Sequence, residues 1–262
     1  MTLLQRYTCN ATLIGLCLGA ASGAYAQGVN SINSAIINTR VWSDIPGAIL
    51  TASDSYPSAI SFNEQNVSAT NGYANRDTWQ FSSDGGASAY QFQNGDYFHA
   101  SMDLTLTASS LAPRKEAGFL FSTASSGDIQ FIVNTDGHEV VQFGGISYYS
   151  FSGNSIVSYN SGDLINLALS YFLAGDGNNA LQFFANGIAS PVFEFASGAG
   201  IGNGSTLGGY FQIVNDPSNP GNSGLANFQN IGIISVPEPS TLTLLSMGIV
   251  TLGAVVSRRR RI

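Results

Sequence analysis

The sequence predicts an all-β protein, folded as a single antiparallel sandwich of two facing sheets. Three observations carry this prediction. Only 10% of the residues are charged, and Gly, Ser and Asn interrupt the chain every few positions. Apolar and polar residues alternate in short runs, and no long run has the 3.6-residue period of a helix. Turn-forming dipeptides separate several of these runs, as hairpins require.

The alternation is clearest at 98–108, in the run FHASMDLTLTA. Its apolar residues fall on one side and its polar residues on the other, which indicates a half-buried strand. Further strands are predicted, in chain order, at AGFLFST, DIQFIVNT, EVVQFGG, DLINLALSYFL, ALQFFA, PVFEFA, GGYFQIV and FQNIGIIS. The less regular segment 28–76 predicts an edge strand at SAIINTRVW and a loop-rich cap. Trp79 is expected in the core.

Two dipeptides predict tight hairpin turns. Asp136-Gly137 lies between IQFIVNT and HEVVQF, and Asn186-Gly187 lies between ALQFFA and IASPVFEF. Both dipeptides tolerate the positive φ values that two-residue hairpins need. We therefore expect an antiparallel meander of about a dozen strands. Because the sequence contains no βαβ alternation, fixed repeat or interior linker, one β-domain is expected at 27–235.

Residues 1–26 have the features of a secretory signal peptide, expected to form a short helix. Arg6 gives a weakly basic start, and an apolar run follows it. Ala24 and Ala26 then place small residues at the two positions that a signal peptidase needs before its cut. The mature protein is therefore expected to begin at Gln27.

Composition limits the partners of the mature domain. Both cysteines, Cys9 and Cys17, lie inside the predicted signal, so neither a disulfide nor a cysteine-bound metal is expected. Between the predicted ends of the domain, four basic residues stand against fifteen acidic ones, a net charge of −11. Such a surface repels phosphate backbones, so the sequence predicts no nucleic-acid partner. Neutral glycans and divalent cations are compatible with it.

The C-terminal segment combines three features. Residues 241–257 carry no charge, and 17 residues are near the lower limit for a helix that crosses a bilayer. The basic run that follows would remain on the cytoplasmic side of the membrane. Pro237 and Pro239 favour an extended chain before the apolar run. We therefore predict a transmembrane helix at about 241–257.

These features together resemble a PEP-CTERM sorting signal. Val-Pro-Glu-Pro-Ser at 236–240, the short apolar run and the terminal arginines occur in the order of that signal. The resemblance implies a Gram-negative bacterium, transit through the inner membrane, and processing by exosortase, a membrane-embedded cysteine transpeptidase. It implies release to the cell surface or the extracellular polysaccharide matrix. The implied recognition residues are Pro237, Glu238 and Pro239, and the implied retention stop is Arg258, Arg259, Arg260 and Arg261.

The order of strands over residues 77–235 resembles the concanavalin A-like lectin/glucanase sandwich, the group that includes laminin G-type modules. The runs YFHASMDLTL, AGFLFS, DIQFIVNTDGHEVVQF, GDLINLALSYF, LQFFANG and ANFQNIGI carry this resemblance. It implies a jelly-roll arrangement of the two sheets. Glucanases of this group place paired acids close together on one strand, because one carboxylate acts as nucleophile and the other as acid.

The paired-acid pattern is absent from this sequence. Its domain contains four glutamates, and none has a second acid two residues later: Glu64, Glu116, Glu139 and Glu194. We therefore expect a protein that is not an enzyme and has no catalytic residues. His99 and His138 are expected to have surface or hydrogen-bonding roles. The alternative is a secreted glycan-active hydrolase with an acid pair that the sequence does not reveal.

The run ISYYSFSGNS at 146–155 offers candidate glycan contacts. Aromatic rings stack on the apolar faces of sugars while amides bind the hydroxyls, so Tyr148, Tyr149 and Asn154 are the candidates. Alternation places Tyr148 on the side opposite Tyr149, so one side of this run is equally explained as core. GDGNN at 175–179 has calcium-like oxygen donors but lacks the rest of an EF-hand loop, which favours a plain turn. No cofactor and no metal site is predicted, with calcium left as a minor alternative.

The sequence thus predicts an exported surface or matrix protein, sorted by exosortase, with a structural or glycan-binding sandwich. Exopolysaccharide is its expected partner outside the cell.

Overall fold

The computed structural model describes residues 28–154 and 157–237, and almost all of its regular structure is β-strand. The strands are β1 (Ser34–Asn38), β2 (Ile49–Ser55), β3 (Ala59–Gln65), β4 (Ala74–Ser82), β5 (Phe98–Ala108), β6 (Lys115–Thr123), β7 (Gly127–Asn134), β8 (Val140–Phe143), β9 (Tyr149–Ser150), β10 (Leu164–Leu173), β11 (Asn179–Ala185), β12 (Ile188–Ala189), β13 (Phe193–Glu194), β14 (Thr206–Val214) and β15 (Gly224–Ser235). A short 3₁₀ turn at Val29–Ser31 and the helix α1 (Phe151–Asn154) complete the described elements.

The strands form two antiparallel sheets. The seven-stranded sheet has the order β1-β4-β14-β6-β7-β8-β9, and the eight-stranded sheet has the order β12-β11-β10-β5-β15-β3-β2, with β13 paired to β11. Every pair of neighbouring strands is antiparallel. The predicted all-β sandwich of two antiparallel sheets is confirmed.

The order of strands within the sheets differs from the expected meander. Only β2 to β3, β6 to β9 and β10 to β12 follow one another as hairpin neighbours, whereas β14 inserts between β4 and β6, and β15 inserts between β5 and β3. The chain therefore crosses between the sheets repeatedly. Alternation along one strand shows which face is buried, but it carries no information about which distant strand pairs with it.

The core lies between the sheets. Trp79 on β4 is fully buried, which confirms its predicted place in the core, and its ring contacts Phe81 at a centroid distance of 5.2 Å and Phe228 at 5.9 Å. The β5 side chains that alternation placed on the apolar side are also fully buried: Phe98, Ala100, Met102, Leu104 and Leu106. Burying large aromatic side chains of this kind contributes about 2 kcal/mol each.

Two local predictions need correction. The segment 28–76 is not mainly a cap, because β2 and β3 form one edge of the eight-stranded sheet and β3 sends Phe62 into the core. The connection between β7 and β8 is longer than a two-residue turn, and the positive φ is at His138 rather than Gly137. The prediction for Asn186-Gly187 is confirmed, because both residues have positive φ and Ala185 pairs directly with Ile188.

Several predictions fall outside the described residues. They are the signal peptide with Ala24, Ala26 and Gln27, the transmembrane helix at 241–257, and the sorting residues Glu238, Pro239, Arg258, Arg259, Arg260 and Arg261. Within residues 28–154 and 157–237, no helix is long and apolar enough to cross a membrane.

Candidate functional site

A row of polar side chains crosses the outer face of the seven-stranded sheet. Arg76 pairs with Gln212, Gln212 pairs with Glu116, and Glu116 pairs with Asn134 across four neighbouring strands. Because Asp77, Phe211 and Ala117 on the same strands point into the core or the interior, the alternation of side chains places this row on the opposite face. We call Arg76, Gln212, Glu116 and Asn134 the polar row.

Hydrogen bonds join the members of the polar row. The Arg76 Nε donates to Gln212 Oε1 at 2.9 Å, and the Gln212 Nε2 donates to Glu116 Oε1 at 2.9 Å. The Arg114 Nη1 lies 3.6 Å from Glu116 Oε2. Glu116 is almost fully buried, and this burial raises the pKa of its carboxyl group although Arg114 acts in the opposite direction.

Arg114 gathers three acids at one end of the row. Besides Glu116, its guanidinium lies 3.1 Å from the Asp136 carboxylate and 3.4 Å from the Glu139 carboxylate. Asn134 also donates to Glu139 through its Nδ2. Glu116 on β6 and two acids of the connection between β7 and β8 therefore converge around one cation, and none of the sequence patterns predicted this.

A tyrosine lies beside the polar row, on the same outer face. Tyr210 is fully buried there and packs with Ile132 and Val141 in a small apolar cluster that is separate from the main core. It pairs directly with Gly118, where a side chain would collide with the backbone of Phe131. Burial raises the pKa of its hydroxyl group well above the ordinary value, and the neighbouring Glu116 carboxylate acts in the same direction.

The other end of the polar row is covered by aromatic rings. The Arg76 guanidinium carbon lies 4.7 Å from the centre of the Trp42 ring and 5.3 Å from the centre of the Tyr210 ring. Trp42 is 53% exposed and Tyr73 is 61% exposed, and their ring centroids are 5.6 Å apart. We call Trp42 and Tyr73 the aromatic pair. It stands next to a cation on an otherwise acidic domain.

A second polar cluster lies inside the sandwich. Arg40 bridges the sheets, because its Nε and Nη2 each lie 3.3 Å from the carboxylate of Glu64 on β3, while its backbone N–H donates to Asp77 on β4 at 2.8 Å. Asn75 also donates to Glu64, at 3.2 Å. Glu64 and Asp77 are both fully buried, so this pair of acids is out of the reach of a polysaccharide.

Two of the predicted glycan contacts at 146–155, Tyr148 and Tyr149, differ in exposure. Tyr148 is 62% exposed, whereas Tyr149 is half-buried and its ring packs against Phe151 at a centroid distance of 5.0 Å. Asn154 ends α1, and its side chain is outside the described part of the structure. Glycan binding by these three residues stays a prediction.

The histidines and the acidic turn make local contacts. His99 Nδ1 lies 2.8 Å from Ser170 Oγ, and His138 Nδ1 lies 3.1 Å from the Tyr159 carbonyl oxygen. In the 175–179 turn, Asn178 donates to Asp176 through its backbone N–H at 3.0 Å and through its Nδ2 at 2.7 Å. Within the residues that the structure describes, no group of three or more His, Cys, Asp and Glu side chains is placed to hold a metal ion.

The last strand leads directly into the C-terminal motif. The strand β15 ends at Ser235, and the Val236 N–H donates to the Tyr97 carbonyl oxygen at 2.9 Å. Pro237 is exposed, and it lines a groove on the eight-stranded sheet together with Phe172 and Gln182. The Pro-Glu-Pro sequence therefore begins at the surface of the folded sandwich, without an intervening linker.

Residues 235–261 match the model of the PEP-CTERM protein-sorting motif. The chain carries a PEP-CTERM sorting motif. This confirms the resemblance seen at Pro237, Glu238 and Pro239, and it implies export and processing by exosortase. No curated protein sequence matches the chain.

Solved structures with related arrangements of strands include three proteins of different activity. The alginate lyase from Corynebacterium sp. is 11% identical, with a TM-score of 0.46, over 80% of this chain and 97% of that one. The Emp47p carbohydrate recognition domain is 12% identical, with a TM-score of 0.44, over 82% and 100%. The carbohydrate-binding module CBM66 from Bacillus subtilis is 11% identical, with a TM-score of 0.40, over 74% and 99%. The lyase and carbohydrate-binding activities in these names are those of the three solved proteins.

The polar row and the aromatic pair are not predictable from any local motif of the sequence. Their members come from separate strands and loops, so no local motif contains them. One signal was available: the domain has only four basic residues, and two of them, Arg76 and Arg114, lie in or beside the row.

Proposed function

We propose that the protein is an exported, non-enzymatic component of the cell surface or extracellular matrix of a Gram-negative bacterium, with a structural or glycan-binding role. Exosortase releases it after transit through the inner membrane. The observation that carries the proposal is the PEP-CTERM motif at 235–261, which begins where the last strand of the sandwich ends. The folded sandwich is therefore the domain whose export the motif directs.

The geometry at the end of β15 supports this reading. Val236 is held by Tyr97, and Pro237 is already exposed. The five residues from Pro237 to Thr241 span at most about 18 Å, because an extended chain advances about 3.5 Å per residue. We infer that the sandwich stays close to the membrane surface until the cut, with the two prolines in reach of a membrane-embedded enzyme.

Replacement of Pro237→Ala together with Pro239→Ala tests the sorting step. Loss of both prolines removes the restricted backbone of the motif, so we expect the full-length form to accumulate in the membrane fraction of the native host. The matched control is Pro217→Ala with Pro220→Ala, which changes two prolines in an exposed turn of the sandwich. Unchanged processing of the first variant would refute the sorting step of the proposal.

One observation favours the alternative of a glycan hydrolase. Glu116 has a raised pKa and lies near two further acids, Asp136 and Glu139, on the outer face of a sheet. A general acid of a glycosidase needs a raised pKa. In the present arrangement Arg114 is bound to all three carboxylates, which favours a structural role for them.

Incubation of the purified protein with a panel of bacterial polysaccharides separates the two proposals. We expect the protein to bind a polysaccharide without producing new reducing ends. Release of reducing ends that disappears in Glu116→Gln, with Glu194→Gln as an exposed control, would establish the hydrolase instead.

A further inference from the structure

The Arg76 side chain is fixed in position but retains unused donors. Its guanidinium stacks against Trp42 and Tyr210, and its Nε is held by Gln212. Within residues 28–154 and 157–237, Arg76 forms no ion pair, whereas the other two arginines of this part are paired with acids. A guanidinium stacked in this way loses little conformational entropy when it binds a ligand. Arg76 is therefore a preorganised donor on the surface of the sheet.

The aromatic pair extends the surface beside this donor. Trp42 offers one face to Arg76, yet more than half of its side chain remains exposed, as does that of Tyr73. Because the two exposed rings are adjacent, they form a continuous apolar patch, and exposed patches of this kind mark binding sites. Rings next to hydrogen-bond donors match the chemistry of a pyranose, which has an apolar face and hydroxyl groups at its rim.

Charge distinguishes a neutral glycan from an acidic one. Along the polar row as a whole, the three acids around Arg114 outnumber the two arginines, Arg76 and Arg114. The domain as a whole has fifteen acidic and four basic residues. An acidic polymer would be repelled before its carboxylates reached Arg76, whereas hydroxyl groups can accept hydrogen bonds from the guanidinium and donate to acids at no electrostatic cost.

We propose that Trp42, Tyr73 and Arg76 form a binding site for a neutral glycan. The two rings stack on successive sugar residues, and the free Nη groups of Arg76 donate to sugar hydroxyls. This inference rests on the proposed function, to which it adds the site and the class of ligand.

Binding is measured by calorimetry with the full chain, purified in detergent. The probes are three neutral hexasaccharides, built from β-1,4-glucose, α-1,4-glucose and β-1,4-mannose, and the acidic oligosaccharide hexagalacturonate. We expect at least one neutral probe to bind and hexagalacturonate to bind more weakly. Trp42→Ala and Tyr73→Ala should each lower the affinity for that probe about ten-fold, the usual effect of truncating a central aromatic contact. Arg76→Gln should lower it as well.

The matched control is Leu164→Ala, which removes an exposed apolar side chain on the other sheet and should leave the affinity unchanged. Three results would overturn the inference: no binding of any neutral probe, tighter binding of hexagalacturonate, or loss of binding in Tyr148→Ala with Trp42→Ala unaffected. Two other results would contradict the proposed function and not the binding site. Cleavage of a bound hexasaccharide would contradict a non-enzymatic role while leaving the site intact, and unaltered processing of the proline variant would contradict sorting alone.

Discussion

Asp77 combines complete burial with incomplete hydrogen bonding. Its Oδ1 accepts the Arg40 N–H, but its Oδ2 has no hydrogen-bond partner within the described residues. Burial raises the pKa of the carboxyl group to about 7, and the nearby Glu64 carboxylate acts in the same direction. The folded state therefore favours the protonated form of the Asp77 carboxyl group.

The Asp77 carboxyl group makes the stability of the protein depend on pH. Its folded pKa of about 7 is above the ordinary value of 3.8, so the native state binds the extra proton and stability falls as the pH rises through this interval. Asp77→Asn should remove this fall, which amounts to a free energy of unfolding on the order of 4 kcal/mol between about pH 4 and about pH 8. Urea unfolding at a series of pH values measures it. Asp128→Asn, at an exposed position, is the control that should keep the wild-type slope.

Lys115 has the opposite dependence. Its side chain is fully buried, with Nζ at 3.0 Å from both the carbonyl and the hydroxyl oxygen of Ser110, and burial lowers its pKa to about 8. The native state binds fewer protons than the unfolded state between about pH 8 and the ordinary value of 10.5, so stability rises with pH over that interval. Lys115→Met should abolish this rise in urea unfolding. A rise of wild-type size in the variant would assign the titration to another group.

At the scale of the strand, two glycines illustrate two different constraints. Gly209 on β14 lies so close to the Trp79 ring that an added Cβ would collide with its indole nitrogen. Gly187 in the hairpin between β11 and β12 has φ +78°, with open space around it. The first position is limited by packing between the strand and the core, and the second by backbone conformation.

Replacement by alanine should separate these constraints. Gly187→Ala should lower the free energy of unfolding by about 1 kcal/mol, the cost of positive φ for a residue with a Cβ. Gly209→Ala should cost more, about 3 kcal/mol, because Trp79 must move within a close-packed core. Chemical unfolding of both variants gives the comparison, and a smaller cost at Gly209 than at Gly187 would contradict the packing argument.

The same scale shows how far the sequence predicts the fold. Alternation located β5 and most other strands, because the period of a strand is written in consecutive residues. It failed for β2, whose run ILTASDS is exposed at nearly every position and carries no apolar period. It also missed β3, where alternate positions are buried but one of them is the charged residue Glu64. It also gave no strand order, since the pairing of β14 with β4 and β6 joins residues that are far apart in the chain.

At the scale of the whole molecule, charge is the dominant feature. The domain contains only four basic residues, and the structure buries Lys115 and pairs Arg40 and Arg114 with acids. Most of the remaining acidic residues have no cation to compensate them, so the folded state is under self-repulsion at neutral pH.

Salt should therefore stabilise the protein. Raising the ionic strength shortens the Debye length from about 30 Å at 0.01 M to less than about 10 Å above 0.1 M, so the melting temperature should rise by a few degrees. The double variant Asp128→Lys with Glu194→Lys reverses two exposed acids and should show a smaller rise. Thermal unfolding at several NaCl concentrations measures both, and a melting temperature that falls with salt would contradict the argument.

The sequence alone determined the sorting motif and the class of fold. The sorting motif is a contiguous stretch, and strand alternation and hairpin dipeptides are also properties of neighbouring residues. The motif and the fold class can therefore be predicted from the sequence. Only the tertiary structure decided which side chains share a surface. Trp42, Arg76 and Gln212 meet because a loop and two strands are brought together by long-range pairing, and Glu64 faces Asp77 because the two sheets pack against each other. Such contacts depend on the free energy of the whole fold, which no short segment encodes.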